Sequence, residues 1–252
     1  MKALIGGATL TLALLLAGCG GDGEDSNSAS GNGTPAVTTA PLAQVEAPNG
    51  DWTQVVTETQ EGGFLMGNPN APVKLVEYAS LTCPHCASFS QESGDKLKNQ
   101  YVKSGQISFE FRNFVMNPID LAATLLVRCQ GTGPFFKSVE QLFATQQQWT
   151  AGATQMSPAD QQRIGALPRD QQAAAFAKAA GIDTFFKQRG MPEARVNSCL
   201  ADQQSVQKLV QMNQVAVERD KLEGTPTFLI NGETVGSLTW AQLEPLLRKE
   251  IG

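Results

Sequence analysis

Residues 73–112 restrict the fold more than any other stretch of this 252-residue chain. After Pro72, residues 73–78 form a short run of β-forming side chains that reads as a strand. A loop, residues 79–82, leads into Cys83-Pro84-His85-Cys86. Beyond it, Phe89, Leu97 and Tyr101 recur among charged and amide residues, which predicts an amphipathic helix to about Val102, broken by Gly105. Residues 106–112, QISFEFR, alternate cleanly: Ile107, Phe109 and Phe111 face one way, Ser108, Glu110 and Arg112 the other. Strand, helix and strand make a parallel βαβ unit, and the cysteine pair falls at the N-terminus of its helix.

The chain then changes character. Residues 119–222 are rich in Ala, Gln, Leu and Lys, with Pro118, Pro134, Pro158, Pro168 and Pro192 placed to open or separate helices. A longer helix is expected over 202–222, with Val206, Leu209, Val210, Asn213 and Val217 along one side. Sheet pattern returns in residues 225–230, TPTFLI. Asn231-Gly232 is a strong hairpin signal, and Thr239 is placed to cap a last helix through Trp240, Leu243, Leu246 and Leu247. The expected order is β-α-β, helical insertion, β-β-α.

The first residues bear on compartment. Lys2 and the apolar residues 4–17 have the layout of a secretory signal and are too short to span a bilayer. Leu16-Ala17-Gly18-Cys19 resembles a bacterial lipobox, in which Cys19 is lipidated and becomes the mature N-terminus; an ordinary signal peptide is the alternative. Residues 19–50, rich in Gly, Ser, Asn, Thr, Ala and Pro, show no apolar periodicity and read as a flexible tether. With Cys19 set aside, four of the five cysteines remain. Cys83 and Cys86 are evident partners. In an oxidising compartment Cys129 and Cys199 are expected to form a structural disulfide, with two separately buried thiols as the alternative. Such a bridge is worth about 3–4 kcal/mol in the chain-entropy model. A net charge of −5 without a basic stripe argues against nucleic acid as a partner.

Taken together, Cys-Pro-His-Cys at a strand-to-helix junction, a late Thr225-Pro226 opening a hairpin, a terminal helix and a helical insertion resemble the thioredoxin superfamily. More narrowly, the pattern is similar to the DsbA family of exported bacterial thiol oxidoreductases, in lipoprotein form. Residues 67–86, GNPNAPVKLVEYASLTCPHC, fit the start of its catalytic domain, and the likeness runs from about residue 64 to the end. The resemblance implies an α/β thioredoxin fold, residues 51–116 and 223–252, with a helical domain, 117–222, inserted between its βαβ and ββα halves. A signal peptide, 1–18, and the tether, 19–50, precede it.

The chemistry agrees with the resemblance. Free N–H groups and the dipole at a helix N-terminus favour a Cys83 thiolate, and a protonated His85 would add positive charge beside it. A lowered Cys83 pKa stabilises the dithiol form and makes the disulfide readier to pass to a substrate. Cys83 is therefore expected to form the mixed disulfide and Cys86 to resolve it. The resemblance implies a cis Thr225-Pro226 bond packed against the pair, with the Thr225 hydroxyl within reach of the Cys83 sulfur. It also implies a buried acid, Glu77, serving Cys86 as general base; the alternative is a strand-end glutamate in solvent. No cofactor beyond the Cys83–Cys86 disulfide is expected.

The partners implied are substrate proteins with thiols or disulfides, a membrane redox partner that reoxidises or reduces the pair, and the membrane itself through Cys19. The location implied is the periplasm or cell envelope. Threonine at 225 also occurs in isomerases, which keeps isomerase and reductase readings open. The absence of strands or heptads in residues 20–50 favours a monomer and hence an oxidase. A zinc site lacks ligands, since His85 is the sole histidine. A static disulfide and a tethered binding module are the remaining alternatives.

Overall fold

The computed structural model describes residues 41–252. The expected signal peptide, Cys19 and the tether to residue 40 lie outside the described residues. At its central strand, β3 (Val73–Ala79), the chain pairs in parallel with β4 (Ile107–Asn113) and antiparallel with β5 (Thr227–Ile230). The β-branched and aromatic composition of these segments suits a strand buried on both faces. α1 (Pro84–Lys96) connects β3 to β4 and continues through a wider turn of π type, Leu97–Val102, before Gly105 (φ +76°) ends it. β5 returns through Asn231 and Gly232, both with positive φ as a tight hairpin turn requires, into β6 (Glu233–Gly236). The closing helix, α10 (Trp240–Ile251), begins with a capping box between Thr239 and Gln242.

Two strands went unrecognised in the sequence. β1 (Val56–Glu58) and β2 (Phe64–Gly67) extend the sheet beyond β4, giving the order β1-β2-β4-β3-β5-β6. Three residues of partly exposed strand and four of unalternating FLMG are too short to carry a periodic signal. Residues just before them are also held against the domain. The Val45 N–H donates to the Ser104 carbonyl at 2.8 Å, and Gln106 Nε2 to the Ala43 carbonyl at 3.1 Å.

One sheet face packs Val73, Leu75, Phe228 and Ile230 against α1 and α10, with Phe89 4.5 Å from the Phe228 ring centroid. The opposite face carries a smaller cluster of Val76, Tyr78 and Leu229 against Ala216 and Leu222. Between β4 and β5 the insertion forms eight helices among the described residues. These are α2 (Pro118–Cys129), α3 (Thr132–Ala144), α4 (Gln146–Thr154), α5 (Pro158–Gly165), α6 (Arg169–Ala180), α7 (Ile182–Gln188), α8 (Glu193–Leu200) and α9 (Gln203–Glu218). Pro118 and Pro158 occupy first-turn positions, and Pro168 and Pro192 stand immediately before α6 and α8. Cys129 and Cys199 are disulfide-bonded, stapling the end of α2 to α8 across 70 residues.

α9 buries part of the expected stripe, Leu209 fully and Val206 and Asn213 partly, joined by Met212 and Ala216, whereas Val210 and Val217 stand about half exposed. Asn213 is used instead as a polar clip, exchanging hydrogen bonds of 3.0 and 2.7 Å with the Val115 backbone.

Candidate active site

Cys83 is the N-cap of α1, with extended backbone (φ −79°, ψ 120°), and Pro84 fills the first helical position. That geometry turns the open N–H groups of the first turn toward the sulfur: the Cys86 N–H donates to Cys83 Sγ at 3.4 Å. Both cysteines are free thiols. Cys83 retains 7% exposure and Cys86 none, so an incoming sulfur meets Cys83 first.

The thiol of Cys83 is lowered to about 5, chiefly by a hydrogen bond from the Cys86 thiol. Burial opposes this, while the Thr225 side chain and the backbone N–H groups of Cys86 and His85 reinforce it. The His85 backbone N–H is among the donors to this sulfur, and the residue itself is exposed. Cys86 moves the opposite way. Burial pushes its thiol far up, and the nearby charges of Glu77 and Cys83 add to the effect. The site therefore favours a thiolate at Cys83 and a protonated thiol at Cys86.

Thr225-Pro226, a cis peptide, lies against the pair. The Thr225 carbonyl accepts from Cys83 Sγ at 3.2 Å. The Thr225 hydroxyl donates to Met116 Sδ at 3.4 Å.

Glu77 occupies the face of β3 that looks toward α1, paired across the sheet with Phe111 and Phe228. It is buried, its Oε1 has no hydrogen-bond partner among the described residues, and it borders a cavity of about 50 Å³ with Phe89, Phe111 and Phe143. Burial first, then the Cys83 charge, raises its carboxyl to about 8. The solvent-facing alternative for Glu77 does not match this position.

Cys129 and Cys199 lie in the insertion as a bridge separate from the reactive pair. Among the described residues no group of three or more His, Cys, Asp or Glu gathers as a metal site.

Sequence reasoning missed Met116, Asn117, Asp120 and Gln146. Asn117-Pro118 with Asp120 in the first turn reads only as a well-capped helix start. Nothing near Gln146 marks it among many glutamines.

A family model described as Thioredoxin matches residues 59–249. A Rickettsia felis protein named "Putative protein-disulfide oxidoreductase" is 26% identical over 222 residues, covering 87% of this chain and 71% of that protein. A similarly named Rickettsia prowazekii protein is 26% identical over 182 residues, and the chain spans only 58% of its length. The crystal structure of a protein-disulfide isomerase from Novosphingobium aromaticivorans superimposes with a TM-score of 0.72 at 32% identity, covering 75% of this chain and 96% of that one. Wolbachia pipientis alpha-DsbA1 shares the fold, with a TM-score of 0.61 at 21% identity over 75% of this chain and 90% of that one. The chain belongs to the thioredoxin family and carries the DsbA-like fold, with a helical domain between the two halves of the thioredoxin unit.

Proposed function

We propose that the chain is an exported thiol-disulfide oxidoreductase acting on protein substrates, and that it works as a dithiol oxidase. The observation that carries this is the split between the two sulfurs: Cys83 lowered to about 5, Cys86 buried and raised. In the oxidised protein a substrate thiolate attacks Cys83 Sγ. The Cys83–Cys86 bond breaks, and Cys86 leaves with the electron pair and takes a proton. A second substrate thiolate then attacks the substrate sulfur of the mixed disulfide, and Cys83 leaves as a stable thiolate. The substrate gains a disulfide and the pair gains two electrons, which a membrane redox partner would remove. A low-pKa leaving sulfur favours this direction.

Glu77 stands near enough to influence Cys86 electrostatically and, at about 8, holds a proton at neutral pH. It is suited to donate that proton as Cys86 leaves and to recover it in the reverse direction. A groove of about 510 Å³ beside Thr82, Pro84 and Asn117 leaves room for a substrate chain to approach. Isomerase activity is a second reading, favoured by Thr225 and by the name of the Novosphingobium protein.

Export and anchoring through a lipidated Cys19, in the periplasm or cell envelope, complete the proposal, as does a monomeric state. Among the described residues no helix is long and apolar enough to cross a membrane. The full chain in its oxidised form, mixed with a reduced unfolded protein, is expected to generate substrate disulfides with loss of its own. Scrambled substrate disulfides rearranging without net oxidation would favour the isomerase reading, and no transfer of either kind would reject both.

A further inference from the structure

The loop that aims Cys83, residues 80–83, is fastened almost entirely by the helical insertion. Asp120, in the first turn of α2 and fully buried, accepts from the Leu81 N–H at 3.0 Å and from the Ser80 hydroxyl at 2.6 Å. The same carboxylate accepts from the Met116 N–H at 2.9 Å and the Thr124 hydroxyl at 3.5 Å. All four partners are donors, which is what an ionised carboxylate takes. Gln146, at the start of α4 and buried, donates through Nε2 to the carbonyls of Leu81 and Cys83, each at 2.9 Å. Asn117 Nδ2 donates to the Thr82 hydroxyl at 2.8 Å. Within the loop, the Ser80 hydroxyl and carbonyl accept from the Thr82 and Cys83 N–H groups, both at 3.1 Å.

We propose that the insertion is the positioning scaffold of the redox centre, with Asp120 and Gln146 as positioning residues that hold residues 80–83 so that the Cys83 sulfur stays in the α1 N-cap. The proposal rests on the reading of Cys83 as the reactive thiolate. Hydrogen bonds to sulfur weaken steeply with distance and angle, so a sulfur seated 3.4 Å from the Cys86 N–H keeps its acidity only while its own backbone is fixed. Gln146 grips the Cys83 carbonyl itself, one residue plane from that sulfur. Asp120 reaches both sides of the site, because Met116, whose N–H it binds, carries the thioether that meets the Thr225 hydroxyl. Burial raises the Asp120 carboxyl and its four hydrogen bonds oppose the rise, leaving it at about 6.

The test uses the reduced full chain, following thiolate absorbance near 240 nm against pH, together with the equilibrium of the pair against glutathione. The variants are Asp120→Asn and Gln146→Leu. Ile182→Ala is the control: it opens a cavity in the insertion without removing a hydrogen bond to the loop. Both variants are expected to raise the Cys83 midpoint by about one unit, a tenfold loss of acidity. The glutathione equilibrium should move roughly tenfold toward the oxidised pair. The control should lower the melting temperature and move neither readout. Variants that only melt earlier, with midpoint and equilibrium within about twofold of the parent, would overturn the scaffold role. Gln146→Leu removes no charge and carries the test by itself where Asp120→Asn does not fold. A parent midpoint near the ordinary cysteine value would instead reject the reading of Cys83 on which the proposal rests.

Discussion

Cys86→Ala is expected to leave the protein covalently trapped on its substrates, whereas Cys83→Ala removes exchange altogether, by a factor on the order of a thousand or more. With Cys83 lowered to about 5, nearly all of it is thiolate at neutral pH, and it is the sulfur that retains exposure. Cys86 is buried and held protonated, so it cannot take over the attack once Cys83 is gone. Without Cys86, Cys83 still attacks a disulfide, but the mixed disulfide then lacks its internal resolving thiol. Non-reducing electrophoresis after acid quenching checks both: adducts should accumulate with Cys86→Ala and be absent with Cys83→Ala. Equal adduct yields from the two variants would show that the roles of the sulfurs have been misassigned.

Glu77 supplies the second large effect, in stability and rate together. In the unfolded chain its carboxyl ionises from about 4.5, but in the fold only near 8. Between those values the unfolded chain binds fewer protons than the folded one, so stability falls as pH rises across the window. The full cost, reached above about pH 8, is on the order of 5 kcal/mol. Glu77→Leu is therefore expected to stabilise the reduced protein little at pH 4.5 and by a few kcal/mol at pH 8, measured by urea unfolding. If Glu77 shuttles the Cys86 proton, Glu77→Gln should slow exchange by about 10²–10³-fold with substrate binding intact. A stabilised variant of unchanged rate would make Glu77 a buried acid without a proton-transfer role. A stability gain independent of pH would contradict its raised carboxyl value.

The sequence revealed those parts of the fold that repeat with a period or are punctuated. Strand β3, the helix behind Cys83 and the alternating β4 were legible, as was the Asn231-Gly232 hairpin, because each combines apolar spacing with a turn or cap signal. β1 and β2 were not: three and four residues cannot show a period, and their pairing depends on β4 far along the chain. On α9, Val210 and Val217 looked like core from spacing, yet Met212 and Ala216 are the ones buried beside Leu209. At the site, the cysteines, Glu77 and Thr225-Pro226 were legible through the family resemblance. Asp120 and Gln146 were hidden because their partners are backbone groups of residues 80–83, and a backbone carbonyl leaves no trace in residue identity.

The most direct test of the central claim is the redox equilibrium of the Cys83/Cys86 pair against glutathione, measured on the full chain. A thiolate as stable as Cys83 should give a potential clearly more oxidising than thioredoxin's value of about −270 mV. A potential at or below that value would contradict the disulfide-donor account and mark the protein as a reductase.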